Sequence, residues 1–87
     1  MANLKSSIKR ARQDIRRRSR NRAVLSRSRT AVSKAKRAIA SGDAAEAREA
    51  VIVAISEVDK AASKGIMHRN QAARRKSRLM AKLNAMQ

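Results

Sequence analysis

Apolar residues recur along the chain at helical spacing, in four groups. Leu4, Ile8, Ala11 and Ile15 form a first stripe, and Leu25, Val32, Ala35 and Ile39 a second. Ala47, Val51, Ala54, Ile55, Val58 and Ala62 share one face of a third segment. In a fourth, Ala72, Leu79, Leu83 and Met86 line up with Met80 beside them. Steps of three and four residues mark amphipathic helices. No two-residue alternation persists, so strands are not expected. From Ile15 to Leu25 the helix turns through about 1000°, which leaves the second stripe rotated by roughly 80° from the first. One continuous coiled-coil seam is therefore disfavoured, since it needs several unbroken heptads.

Breakers divide these groups. Proline is absent, and glycine occurs only at Gly42 and Gly65. Gly42 suits the left-handed residue just past a helix end. Asp43 follows, with Glu46 three residues on, an Asp-based relative of the capping box. Lys60 and Lys64 complement the carboxyl-terminal end of the second helix, and Gly65 stops it. Asn70 or His68 caps the third helix, or Ile66 begins it. The reading is all-α: residues 1–87 form one helical domain, a three-helix bundle. Helix one covers about 4–40, helix two about 44–63 and helix three about 67–85. Helix one would be about 55 Å long and helix two about 32 Å. A short turn makes them antiparallel, so helix two reaches back only to about Arg20. Residues 1–20 overhang the bundle as an arm. Val51, Ile55 and Val58 are expected to face Val32, Ala35 and Ile39.

Composition sharpens this picture. Eighty-seven residues make one small domain with a thin core, and there is no Phe, Tyr or Trp. No cysteine means no disulfide and no thiol chemistry. No apolar run reaches membrane-spanning length, and no signal-peptide stretch opens the chain. The expectation is a soluble protein of the cell interior, in the cytoplasm.

Charge is the dominant feature: 23 Lys and Arg stand against 6 Asp and Glu, a net +17. Residues 1–40 carry +13, residues 41–63 carry −3 and residues 64–87 carry +7. Two basic helices therefore flank a mildly acidic one. Such self-repulsion opposes compaction and calls for a polyanionic partner. Arg16, Arg17, Arg18, Arg20 and Arg22 point in at least four directions around the helix, a collar rather than a solvated face. Blocks of like charge are ordinarily disordered. The Leu4/Ile8/Ala11/Ile15 periodicity instead predicts a helix that is ordered on its polyanion.

Chemistry is otherwise sparse. His68 is the lone histidine, which supports neither a triad nor a metal site. Glu46 and Glu49 serve capping and solubility better than acid–base work. No catalytic residue, metal site, cofactor or small-molecule substrate is expected, nor is any membrane contact. Ser6, Ser7, Ser19, Ser26 and Ser28, interleaved with arginines, are either donors to a phosphate backbone or simply exposed. Proteins that read single-stranded bases stack them on aromatic rings. This chain has only His68 for that, so the better fit is double-helical RNA or DNA read through backbone and shape. Arginine outnumbers lysine, and its planar fork grips phosphate in a bidentate way.

Specific segments are also familiar. They are Met1-Ala2-Asn3-Leu4-Lys5-Ser6 followed by Lys9-Arg10, the turn Ala38-Ile39-Ala40-Ser41-Gly42-Asp43, and Ala61-Ala62-Ser63-Lys64-Gly65-Ile66-Met67-His68-Arg69-Asn70. With Ala72-Ala73-Arg74-Arg75-Lys76-Ser77-Arg78-Leu79 they resemble the bacterial small-subunit ribosomal protein S-twenty family over nearly the whole chain. The resemblance implies a structural protein, monomeric within the ribosome, that binds small-subunit (16S) ribosomal RNA and stabilises its fold during assembly. It implies contact with the 5′ domain and with the long penultimate stem near the 3′ end. Carried over, the contacts fall on Lys5, Lys9, Arg10, Arg12, Arg16, Arg17, Arg18, Arg20 and Arg22, with Arg27 and Arg29 beyond them. A second group is Lys64, His68, Arg69, Asn70, Arg74, Arg75 and Arg78. The competing reading is a nucleoid-associated, histone-like DNA-binding protein. A membrane-active cationic peptide fits poorly without Trp or Phe.

Overall fold

Local chemistry explains where each helix stops in the computed structural model of the chain. It describes residues 2–86, with side-chain exposure from residue 4 onward. Met1, assigned to the arm above, lies outside the described residues, as do the side chains of Ala2 and Asn3. Helix α1 spans Ala2–Ser41, α2 Ala44–Ser63 and α3 Arg69–Met86, and no strand occurs among the described residues. Gly42 (φ +85°) and Gly65 (φ +74°) take the left-handed backbone that ends α1 and α2. The Gly42 N–H donates to the Ile39 carbonyl at 3.2 Å, and the Gly65 N–H to Ala62 at 3.0 Å. Asp43 Oδ1 accepts from the amides of Ala45 at 3.1 Å and Glu46 at 3.2 Å. Those two donors have no partner within the helix, so the carboxylate fixes its start. His68 does the same for α3, its Nδ1 accepting from the Asn70 amide at 3.1 Å.

The helices run up, down and up. α2 packs extensively on α1 and on α3, while α1 and α3 touch least. The core is small and alanine-rich. Ala31, Val32, Ala35 and Ala38 come from α1, Ala47, Val51, Ala54, Val58 and Ala61 from α2, and Ala72, Leu79 and Leu83 from α3. Small side chains bring α1 and α2 close together, which leaves little room for aromatic rings. Met67 is buried in the second turn and pins it to the core.

Several core assignments differ from the sequence expectation. Ile55 and Ala62 are only half-buried, and Ala61 takes the central position instead. Ile55 sits at the edge of the α2 face and lines an open surface groove with Ile52, Ser56 and Asp59. Ile39 is likewise half-buried, and Met80 is exposed. Ser28 is fully buried on the packed face of α1, so it is neither exposed nor a phosphate donor. Its hydroxyl donates to the Leu25 carbonyl at 2.8 Å, which lets a small polar residue lie where α1 and α2 approach.

The molecule is elongated, 65 × 21 × 13 Å, with a radius of gyration of 17.6 Å. A compact chain of this length would have a radius near 12 Å. The excess is the amino-terminal part of α1. Every residue from Leu4 to Ala23 is exposed, and burial begins at Val24.

Candidate nucleic-acid interface

The arm is a continuation of α1 beyond anything α2 can reach. With only Gly42 and Asp43 between them, α2 folds straight back along α1. Its 20 residues run for about 30 Å and end beside the turn of α1 where burial starts. Residues 4–23 have no element of this chain beside them. Lys5, Lys9, Arg10, Arg12, Arg16, Arg17, Arg18, Arg20 and Arg22 are all exposed there. Asp14 is the single acid in this stretch and forms no ion pair among the described residues. At 100° per residue the arginines surround the helix, so the collar inferred from the sequence is present in the fold.

The fold also brings distant cations together. α3 runs back beside α1, and a groove of about 180 Å³ opens between them. Val32 and Leu79 line it with Lys36, Arg75, Arg78 and Lys82. Four cations surround its apolar floor, with Arg75 held half-buried, a donor set of the kind that suits phosphate. Arg75 and Arg78 were expected at the interface, but Lys36 and Lys82 were missed. Their signal was available: each lies four residues beyond Val32 or Arg78, on the same face of its helix.

The remaining candidates divide by position. Lys64, His68, Arg69 and Asn70 lie exposed in and after the second turn. By the topology this turn is at the end of the bundle where the arm departs, so the two basic groups adjoin. The imidazole of His68 is spent partly on capping α3. Arg27 and Arg29 are exposed on the bundled half of α1. Arg27 lines a groove with Lys34 on the α1 side and Val53 and Glu57 on the α2 side. Arg74 is exposed on α3, one turn before Arg78, at the margin of the α1–α3 groove.

Electrostatics follow the helices. The acids of α2 offset a little of the charge: Lys76 Nζ lies 2.7 Å from Asp59 Oδ1, and Lys60 Nζ 3.7 Å from Glu57 Oε1. Both pairs are largely solvated and contribute at most about 1 kcal/mol each. No other cation is ion-paired among the described residues. No group of three or more His, Cys, Asp or Glu among them could hold a metal ion. Among the described residues no helix is long and apolar enough to cross a membrane. The surface carries solvated, mostly unpaired cations on more than one side of the molecule.

Comparison with known proteins agrees with this chemistry. The family model described as Ribosomal protein S20 matches residues 2–84. A small ribosomal subunit protein bS20 from Geobacillus kaustophilus is 49% identical over 87 residues, covering 100% of this chain and 98% of the relative. The protein of that name from Legionella pneumophila (strain Paris) is 49% identical over 86 residues, covering 99% and 98%. That from Cutibacterium acnes is 49% identical with the same coverage.

Proposed function

Because this chain belongs to the ribosomal protein S20 family, we propose that it binds small-subunit ribosomal RNA directly and stabilises the RNA fold during assembly. It is a structural component of the small ribosomal subunit, cytoplasmic, and not an enzyme. The observation that carries the RNA reading is the arm. Eight cations and one acid lie between Leu4 and Arg20 on a helix that no other element covers. A helix packed on protein would keep its cations to one side; here they spread around all but the apolar Leu4/Ile8/Ala11/Ile15 face, and a helix beside phosphate strands gains from that spread.

Two basic surfaces on a 65 Å body suit two RNA elements. The arm, with Lys64, His68, Arg69 and Asn70 at its base, engages the 5′ domain. The Lys36/Arg75/Arg78/Lys82 groove, with Arg74, engages the penultimate stem. Arg27 and Arg29 extend the first surface along α1. Like-charge repulsion keeps the protein monomeric within the subunit. The test is filter binding of the intact chain to a small-subunit ribosomal RNA transcript, with duplex DNA as competitor. The expected result is retention of the transcript in excess duplex DNA. Equal competition by DNA would favour the nucleoid-associated reading instead.

A further inference from the structure

The arm carries more than charge. Leu4, Ile8 and Ile15 are 61%, 48% and 66% exposed, so half of the large exposed hydrophobics among the described residues lie on this one segment. Ala11 completes the stripe. At 100° per residue, the stripe faces about 150° away from the packed face of α1, Ser28, Ala31, Val32, Ala35 and Ala38. The sequence estimate of roughly 80° was smaller because Leu25, taken there as the reference, lies at the edge of the packed face. The consequence is geometric: α2 would not cover the stripe even if it were longer. Any cover for it has to come from outside the chain, on the far side of α1.

We infer that Leu4, Ile8, Ala11 and Ile15 seat in a double-helical RNA minor groove, against the riboses that line its two sides, while the flanking cations reach the two phosphate strands. This rests on the RNA reading above and adds to it a set of contacts that charge does not supply. Three observations select this occupant. First, the stripe is railed by cations. Arg12, Lys5 and Arg16 follow it on one side, about 70°, 90° and 110° from its centre, and Arg18 on the other, about 50° from it. Second, the stripe is about 16 Å long and a helix is about 10–12 Å across. The A-form minor groove is wide and shallow, lined by riboses and their hydroxyls, whereas the major groove is too deep and narrow for side chains to read. Aliphatic groups gain nothing from phosphate oxygens but lose water against the ribose C–H faces. Third, residues 4–20 carry a net +7, which repels a second copy of the same arm.

The test uses the intact chain and the triple variant Leu4→Gln/Ile8→Gln/Ile15→Gln, with a small-subunit ribosomal RNA transcript as the probe. All three positions are exposed and glutamine keeps the helix propensity, so the variant melts like the parent. Affinity is measured over a potassium chloride series, with hydroxyl-radical footprinting at one salt. The expected loss is at least about tenfold at every salt concentration. The salt slope stays unchanged, and ribose protection is lost on both strands across one minor groove. In the control Arg16→Gln/Arg17→Gln/Arg18→Gln the slope becomes shallower by about 2 or more. If the triple variant binds and protects as the parent does, the stripe faces a protein or solvent and the inference is wrong, while the RNA reading stands. A shallower slope in the triple variant also overturns it. If the parent itself binds the transcript no better than duplex DNA, the RNA reading falls, and this inference with it.

Discussion

Val58 and Ile55 lie three residues apart on α2 and have opposite surroundings. Val58 is fully buried between the helices, whereas Ile55 borders an open groove. The difference follows from the register of α2 on α1, which alanines at 47, 54 and 61 define. Val58→Arg places an unpaired charge in the core and is expected to abolish cooperative thermal unfolding. Ile55→Arg, with its head group in water, is expected to shift the transition by no more than about 1 kcal/mol. Equal disruption by both would show that α2 presents a different face. At Asp43 the carboxylate holds two otherwise unpaired amides. Asp43→Ala is expected to cost about 0.5–2 kcal/mol in urea unfolding, and Asp43→Asn much less, since the amide oxygen still accepts.

Each helix owes its limits to nearby residues and its partners to remote ones. The Gly42-Asp43 turn was legible because both its features, a left-handed residue and a cap, act within four positions. The role of His68 was narrowed only to one of three alternatives, because Ile66 and Asn70 fit equally on local grounds. Tertiary packing decided it: burial of Met67 fixes the turn, and His68 is left at the start of α3. The overhang was legible from helix lengths alone. The α1–α3 groove was not, because bringing Lys36 beside Arg75 depends on how far α3 slides along α1. Ser28 was misread because charge pattern rather than core register was used to place it. Residues 4–20 touch neither α2 nor α3, so removing residues 1–20 is expected to leave the melting temperature nearly unchanged, or to raise it slightly by relieving repulsion. A truncated chain that no longer unfolds cooperatively would place the arm in the core.

At the scale of the whole molecule, a net charge of +17 on 87 residues and a body 65 Å long describe a protein shaped to lie along a polyanion. The composition made that partner legible, and the missing aromatics argued for backbone and shape over base stacking. Neither distinguished RNA from DNA; membership of a small-subunit ribosomal protein family is what favours RNA. The central claim is that RNA binding resides in the cations of the uncovered arm. Its most direct measurement is the dependence of RNA affinity on salt, for the intact chain and for a chain lacking residues 1–20. Each phosphate neutralised adds about 0.7–0.9 to the slope of log affinity against log salt. The intact chain is predicted to show a slope steeper than about −3, and truncation, which removes eight cations, to reduce it by at least half. Equal slopes for the two chains would contradict the account.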